Sequence, residues 1–193
     1  MPTTAQTRIT GGEWRGRRLN TPREQILRPT RAVVREAIFN IIGDEVVDAT
    51  VIDIFAGAGT VGFEALSRGA ARAIFVDRDE RALAHVRATA AALGCADRCH
   101  VIRSDALGWV RSHSAELRAG DVVFLDAPYR DDTVMAVLDA LGKAPPRVVV
   151  CEHHRARSLT DRIGGLAVVR RRRYGITELS VLRPAVTEVS IGE

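Results

Sequence analysis

The chain has 193 residues, of which 46% are hydrophobic, so it is long enough to bury the core of one compact domain. It has no run near the ~20 apolar residues of a membrane span and no signal peptide at its start, so we expect a soluble, cytoplasmic protein that does not contact membranes. Three cysteines are too few for a disulfide framework, and Cys95, Cys99 and His100 lack an evident fourth ligand, so we expect no metal site.

The formal net charge of +4 is concentrated at the start of the chain. The first 40 residues contain eight arginines and three glutamates, a net charge of +5, whereas the remaining 153 residues carry a net charge of −1. This asymmetry favours a surface that contacts nucleic-acid phosphates, although a solvated basic face is the alternative. A second basic run, Arg170 to Arg173, is open to the same two interpretations. The candidate RNA-contacting residues are Arg8, Arg15, Arg17, Arg18, Arg28, Arg31 and Arg35.

Taken in chain order, the predicted elements begin with a small basic β-hairpin over Arg8–Leu19, where Gly11, Gly12 and Gly16 lie among alternating residues. Apolar residues at helical spacing then predict a helix over Thr30–Ile42, with Thr30 as its N-cap. We therefore divide the chain into a basic N-terminal extension, residues 1–29, and a main domain, residues 30–193.

From Val51 onward, short apolar runs alternate with helical patterns, as they do in a parallel sheet with crossover helices. The predicted strands are Val51–Phe55, Ala73–Val76, Cys99–Arg103, Val122–Leu125 and Val148–Cys151. The predicted helices are Val61–Ser67, Glu80–Leu93, Ala106–Ser112 and Thr133–Leu141. Two final strands, Leu166–Arg173 and Thr177–Leu182, flank a turn at Gly175 and predict an antiparallel hairpin. The expected fold class is α/β and Rossmann-like, with a mostly parallel seven-stranded sheet.

A glycine-rich turn directly follows the first predicted strand. Gly57, Gly59 and Gly62 fit the pattern G-x-G-x-x-G at a junction of strand and helix, where glycine lets the backbone approach a ligand closely. In a nicotinamide enzyme the same turn would hold a pyrophosphate. Asp53 argues against that ligand, because its carboxylate would lie beside the phosphates but could instead bind the ammonium of an amino-acid-type cofactor. The pattern therefore favours S-adenosylmethionine.

Two further acids follow the next two predicted strands. Asp77 lies 24 positions after Asp53 and suits a carboxylate that bonds ribose hydroxyls. Asp105 precedes the small Ala106 and could accept a hydrogen bond from an adenine amino group. These acids should line one crevice at the carboxyl edge of the sheet, although Asp77 and Asp105 could instead be only helix N-caps. The candidate cofactor-binding residues are Asp53, Phe55, Ala56, Gly57, Gly59, Thr60, Asp77, Arg78, Asp105 and Ala106.

The most specific motif is Asp126-Ala127-Pro128-Tyr129, which directly follows the fourth predicted strand. The Asp126 carboxylate and the Ala127 carbonyl can both accept N–H bonds from an amine on a planar ring. Tyr129 can stack on that ring, and Pro128 stiffens the backbone. A base that carries the amine must be unpaired or leave its helix to enter such a site. We predict that these four residues methylate an exocyclic amine of a nucleic-acid base; a purely structural turn is the alternative.

Several segments of the chain are typical of one bacterial family: Arg8–Gly12, Trp14–Leu19, Arg28–Thr30, Val34–Asn40 and Tyr174-Gly175-x-Thr177-x-Leu179. With the core motifs, they make the sequence resemble the methyltransferases that place one methyl group on a guanine N2 of 16S ribosomal RNA. The resemblance implies S-adenosylmethionine as donor, Asp126–Tyr129 as the catalytic tetrapeptide, and the small ribosomal subunit or an assembly intermediate as substrate. The family's usual tetrapeptide is Asp-Pro-Pro-Tyr, so Ala127 is a departure, but the acceptor there is a backbone carbonyl. We also expect a monomer.

Three other functions compete with this one. A DNA methyltransferase acting on adenine N6 or cytosine N4 uses a similar tetrapeptide but normally carries a larger target-recognition region, for which 193 residues leave no room. A nicotinamide oxidoreductase needs the glycine-rich turn but has no use for Asp126–Tyr129. An RNA-binding assembly factor without catalysis would need only the basic hairpin.

Overall fold

The computed structural model describes residues 7–21, 30–113, 116–117, 121–127 and 133–186. The helices in these ranges are α1 (Thr30–Ile42), α2 (Thr60–Ser67), α3 (Glu80–Leu93), α4 (Ala106–His113) and α5 (Thr133–Leu141). The strands are β1 (Thr50–Ile54), β2 (Arg72–Asp77), β3 (Cys99–Arg103), β4 (Val122–Asp126), β5 (Val148–His154), β6 (Arg162–Ile163), β7 (Leu166–Tyr174) and β8 (Thr177–Pro184). None of the described helices combines the length and apolar character needed to cross a membrane.

All the strands form one sheet in the order β3-β2-β1-β4-β5-β8-β7-β6. Strands β1 to β5 run parallel, and β6, β7 and β8 pair antiparallel with their neighbours. The predicted α/β class and the terminal hairpin are confirmed, but the sheet has eight strands in the described ranges, not seven. The additional strand, β6, has two residues, which is too short to give a recognisable alternation in the sequence.

Helices cover both faces of this sheet. One face packs against α1, α2 and α3, with the ring of Phe39 5.7 Å from that of Phe124 and the ring of Phe63 4.9 Å from that of Phe75. The other face packs against α4 and α5, which contribute side chains such as Trp109 and Leu138. Because both faces are buried, the central strands are almost entirely apolar, and a polar residue at a strand end needs a separate explanation.

The predicted N-terminal hairpin is present as a short antiparallel pair. Arg8 bridges to Arg18, and the Ile9 amide donates to the Arg17 carbonyl at 3.0 Å. Trp14 and Leu19 are buried in the same core as α1, α2 and α3. The hairpin is therefore packed onto the main domain, and the predicted division of the chain at residue 30 coincides with no break in the core.

A buried glutamate fixes the hairpin in place. Glu64 of α2 has no exposed surface, and its carboxylate accepts hydrogen bonds from the amides of Thr10 and Gly11, each at 2.8 Å. The same carboxylate pairs with Arg35 of α1 at 3.2 Å and with Arg68 at 2.9 Å. Glu64 thus joins the hairpin, α1 and α2 at one point, directly behind the glycine-rich turn that begins α2.

Candidate active site

The glycine-rich turn leaves β1 in a left-handed conformation. The φ angles are 64° at Phe55, 54° at Gly57 and 73° at Gly59. A phenylalanine at positive φ is strained, so the surrounding structure imposes this backbone. The amide of Ala56 donates to the Val76 carbonyl at 3.1 Å, and the Gly59 amide donates to Ala56 at 2.7 Å. These bonds hold the turn against the carboxyl end of β2.

Two of the glycines are also required by packing beneath the turn. A Cβ atom on Gly62 would lie 2.3 Å from the ring of Phe75, and one on Gly59 would lie 2.8 Å from the same ring. Phe75 is fully buried, so its ring has little room to move. The pattern G-x-G-x-x-G therefore serves the contact between α2 and the sheet as well as the approach of a ligand.

Asp53 lies beneath the turn rather than in an open pocket. It is 2% exposed, and its Oδ2 accepts a hydrogen bond from the Gly62 amide at 3.0 Å. Burial raises the pKa of Asp53 well above its usual range; the Gly62 hydrogen bond lowers it, and the charges of Asp126 and Asp77 raise it further. A direct salt bridge to a cofactor ammonium does not fit a carboxylate enclosed in this way. The geometry instead assigns Asp53 to holding the turn through the Gly62 amide.

The burial of Asp53 leads to a pH-dependent prediction. Its folded-state pKa is raised, so the stability that its protonation contributes is present below an unfolded pKa of ~3.9 and is lost as the pH rises through the folded pKa. Asp53→Asn keeps an acceptor for Gly62 but removes the charge. We expect the variant's free energy of unfolding to exceed that of the native chain increasingly from pH 4 towards pH 8, measured by urea titration. A difference that did not change with pH would contradict the assignment.

A pocket lies beside the turn at the carboxyl edge of the sheet, where β1, β2 and β3 end. Its lining residues are Phe55, Val76, Asp77, Arg78, Ser104, Asp105, Ala106, Leu107 and Thr133. Five of the predicted cofactor-binding residues are in this set: Phe55, Asp77, Arg78, Asp105 and Ala106. Four others, Ala56, Gly57, Gly59 and Thr60, form the adjacent turn and the start of α2.

The sequence left open whether Asp77 and Asp105 only cap helices, and the structure gives a different answer for each residue. Asp105 does accept from the Gly108 amide of α4 at 2.7 Å, so it caps that helix while lining the pocket. Asp77 does not cap α3, because Asp79 does so by accepting from the Arg81 amide at 2.8 Å. The Oδ2 atom of Asp77 instead accepts from the Gly57 amide at 2.7 Å. Asp77 therefore links the end of β2 to the glycine-rich turn.

Four lining residues were missed by the sequence reasoning. Val76 and Ser104 directly precede the two pocket acids, and Leu107 follows Ala106. The strand-end position that identified the acids could therefore also have identified these three neighbours. Thr133 begins α5, far along the chain, and no local pattern places it at this pocket. It reaches the site only because α5 packs beside α4 on the same face of the sheet.

The motif at the end of β4 lies at the same edge. Leu125 of β4 is in register with Ile54 of β1, so the next residue, Asp126, stands beside the start of the glycine-rich turn. Asp126 is half-buried, and Ala127 is 4% exposed. The strand order reverses between β1 and β4, and α/β sheets bind ligands at such a reversal. Pro128 and Tyr129 lie outside the described residues.

The predicted RNA-contacting arginines divide into two groups. Arg8, Arg15, Arg17 and Arg18 are exposed on the hairpin. Arg35 is a correction, because it is 3% exposed, pairs with Glu64 and donates to the Arg8 carbonyl at 2.6 Å. Arg35 therefore stabilises the interior and does not offer its side chain to RNA. Arg28 and the side chain of Arg31 lie outside the described residues.

The sheet order, the glycine-rich turn and the acids at the strand ends together define an α/β methyltransferase fold. The solved structure of the Escherichia coli protein yhhF, described provisionally as a methyltransferase, superimposes with a TM-score of 0.79 at 28% identity, covering 93% of this chain and 98% of that one. A hypothetical protein of Thermus thermophilus superimposes with a TM-score of 0.74 at 26% identity, covering 91% and 98%. The predicted fold class agrees with both structures.

The chain belongs to the family described as "Conserved hypothetical protein 95", which matches residues 7–183. Bacillus subtilis YlbH, named provisionally as an rRNA methyltransferase, is 32% identical over 180 residues, covering 91% of this chain and 98% of that protein. Ribosomal RNA small subunit methyltransferase D of Escherichia coli is 39% identical over 125 residues, 65% of this chain and 61% of that protein. The family resemblance drawn from the sequence motifs is confirmed.

Proposed function

We propose that this chain transfers a methyl group from S-adenosylmethionine to the exocyclic N2 amine of a guanine in 16S ribosomal RNA of the small subunit. The observation that carries the proposal is the meeting of Asp126 with the glycine-rich turn and its pocket at one edge of the sheet. The names of the relatives support ribosomal RNA as the substrate. Guanine N2 as the acceptor rests on the family resemblance.

The pocket residues suit the adenosine part of the cofactor. Asp77 can accept bonds from ribose hydroxyls through lone pairs that the Gly57 and Asp79 amides leave available, since each carboxylate oxygen has more than one. Val76 and Leu107 offer apolar surface for a planar ring, and Asp105 lies beside the small Ala106. This mixture of apolar walls and two acids fits an adenosine moiety.

The electrostatics of the edge favour a cationic cofactor over one that carries a pyrophosphate. Burial has the largest effect on the pKa of Asp53 and raises it. The nearby charges of Asp126 and Asp77 raise this pKa further. Positive charge placed at the turn would offset this repulsion, whereas a pyrophosphate would add to it. S-adenosylmethionine, when bound, supplies an electrophilic methyl group on a positively charged sulfur.

The residues at the end of β4 would position the amine. The Asp126 carboxylate accepts one N–H and the Ala127 carbonyl accepts the other, which turns the nitrogen lone pair towards the methyl group. Asp126 would also accept the proton that leaves the amine. Alignment of the reacting atoms supplies much of the rate in such a transfer. We propose that Pro128 and Tyr129 complete the site, with Tyr129 stacking on the base.

The RNA substrate would be held partly by the exposed arginines of the hairpin, Arg8, Arg15, Arg17 and Arg18. Glu64 fixes that hairpin to α2, the helix that begins at the glycine-rich turn, so the basic surface has a set position relative to the pocket. Phosphate contacts of this kind position a nucleic acid without reading its sequence. Recognition of the base is therefore left to the residues at the end of β4.

Ligand stabilisation and methyl transfer together test the proposal. At a ligand concentration of 100 Kd, S-adenosylmethionine should raise the free energy of unfolding by about 2.7 kcal/mol, and NAD should have no effect. The protein should also methylate small subunits from a strain that lacks this activity, but not double-stranded DNA. Stabilisation by NAD would favour an oxidoreductase, methylation of DNA would favour the DNA enzyme, and subunit binding without transfer would favour an assembly factor.

A further inference from the structure

Strand β7 contains a β-bulge that changes the faces on which its arginines lie. Val168 pairs with Leu182, but Arg170 pairs with Val181, so Val169 is an extra residue in β7. Leu166, before the bulge, belongs to the face covered by α4 and α5. After one extra residue, side chains alternate with the opposite parity. The bulge therefore decides which members of the Arg170–Arg173 run lie on each face.

Two of these arginines have a structural role. Arg171 and Arg173 lie on the same side of the sheet as Glu178, which has no exposed surface. Glu178 pairs with Arg173 at 2.7 Å and with Arg171 at 3.7 Å, and Arg171 also pairs with Asp161 at 2.9 Å. Their positive charge is largely offset, because two carboxylates face two guanidinium groups.

The other two arginines lie on the face that carries Asp126. Asp126 is in register with Glu152 of β5, Glu152 with Leu179 of β8, and Leu179 with Arg172. Residues in register point to the same face, so Arg172 is three strands from Asp126 in one row, ~14 Å at the usual strand spacing. Arg170 lies two residues along the same strand.

This part of the face is open. By contrast, Arg183 of β8, near the amino edge of the sheet, forms an ion pair with Glu45 at 2.6 Å. Arg170 and Arg172 are exposed, and no ion pair among the described residues includes either of them. Within the part of the chain that the structure describes, Arg172 donates only to the neighbouring Arg171 carbonyl, at 3.1 Å. Two exposed positive charges, in no ion pair within the described ranges, therefore stand beside the end of the sheet that holds the pocket.

We propose that Arg170 and Arg172 form a second phosphate-contacting surface, which binds the RNA backbone on the β7 side of the pocket while the hairpin binds it on the α2 side. The inference rests on the proposed function, because it takes the same RNA as the ligand. Arginine on a strand edge suits a phosphate backbone, since its planar guanidinium donates several hydrogen bonds to phosphate oxygens. The bulge at Val169 is the structural device that presents these two residues to the RNA.

Three double variants, each of which removes two positive charges, test the surface. Arg170→Gln/Arg172→Gln changes the proposed contacts, and Arg15→Gln/Arg18→Gln changes the hairpin as a benchmark. Arg72→Gln/Arg111→Gln is the matched control, because Arg72 starts β2 and Arg111 lies in the last turn of α4, both exposed at the opposite edge. Arg170→Lys/Arg172→Lys tests whether charge at the same positions is sufficient.

The substrate is the unmethylated small subunit, and both initial rates of methyl transfer and direct binding are measured over a series of salt concentrations. For Arg170→Gln/Arg172→Gln we expect KM to rise about tenfold with kcat little changed. Affinity falls as salt rises, and the magnitude of the slope of log affinity against log salt should decrease by about 1.5, as expected for the loss of two phosphate contacts. The lysine variant should keep most of the slope, and S-adenosylmethionine binding should not change.

The inference is overturned if Arg170→Gln/Arg172→Gln matches the Arg72/Arg111 control in both KM and salt slope. It is also overturned if the variant loses thermal stability and cofactor affinity together, because that result would indicate a structural role. If the native chain binds small subunits but transfers no methyl group, the proposed function fails instead, and the binding slopes alone decide whether Arg170 and Arg172 contact RNA.

Discussion

Replacing Asp126 with alanine should lower kcat for methyl transfer to unmethylated small subunits by at least ~10³-fold while the fold and S-adenosylmethionine binding are retained. The carboxylate stands at the end of β4, beside the glycine-rich turn, and is the acceptor that we propose for the amine. Its loss removes both the hydrogen bond that orients the amine and the group that takes its proton. Single-turnover rates on saturating subunits measure the effect on the transfer step itself.

The matched control for this prediction is Glu152→Gln. Glu152 is in register with Asp126 on the next strand and is also half-buried, so the change perturbs a neighbouring acid while keeping its shape. We expect nearly normal turnover in this variant. Near-normal turnover in Asp126→Ala, or equal losses in both variants, would contradict the assignment of Asp126 as the amine acceptor.

Replacing Glu64 with alanine should lower the free energy of unfolding by ~3–5 kcal/mol, a large loss for a single substitution. The change would leave the buried Arg35 guanidinium without its carboxylate and would remove the acceptor for the Thr10 and Gly11 amides. The hairpin and α1 would lose their common attachment to α2. Trp14 is a buried residue of the hairpin, so its fluorescence during urea titration reports on this region, with Trp109→Phe introduced into every variant to remove the other tryptophan.

The control here is Glu80→Ala, which breaks an ion pair with Arg87 whose two side chains are about half exposed. Water screens such a pair, so the expected loss is only ~0.5 kcal/mol. If Glu64→Ala were no more destabilising than Glu80→Ala, Glu64 would not be the point that fixes the hairpin. A loss confined to the hairpin would instead appear as early exposure of Trp14 before global unfolding.

The parts of the site that the sequence predicted are those set by local order along the chain. The glycine-rich turn follows β1, Asp77 ends β2 and Asp105 lies two residues after β3. Parallel strands place their carboxyl ends at one edge of the sheet. Strand, turn and helix are consecutive, so periodicity and glycine position were sufficient. The same holds for Asp126, which ends β4.

The parts that could not be predicted depend on contacts between distant residues. Thr10 and Glu64 are 54 positions apart, so neither segment alone indicates that the two residues form a partly buried hydrogen bond. Arg35 has the same composition signal as the exposed hairpin arginines, and only its pairing with Glu64 separates it from them. Asp53 was expected to contact a cofactor directly, but packing encloses it beneath the turn.

The second arginine run illustrates the same limit within one strand. From the sequence, the run Arg170 to Arg173 could be either a solvated face or a nucleic-acid contact. In the structure, alternate residues of the run lie on opposite faces of the sheet, in two different environments. The extra residue at Val169 decides which arginines meet Glu178 and which share a face with Asp126. A bulge is set by pairing with β8, and no feature of the β7 sequence alone requires it.

The most direct test of the central claim is to identify the methylated nucleoside. Small subunits from a strain that lacks the activity are incubated with the protein and isotopically labelled S-adenosylmethionine, and the ribosomal RNA is digested and analysed by mass spectrometry. We expect one labelled N2-methylguanosine per subunit with the native chain and none with Asp126→Ala. Label in a methylated adenosine or cytidine, or no label in RNA, would contradict it.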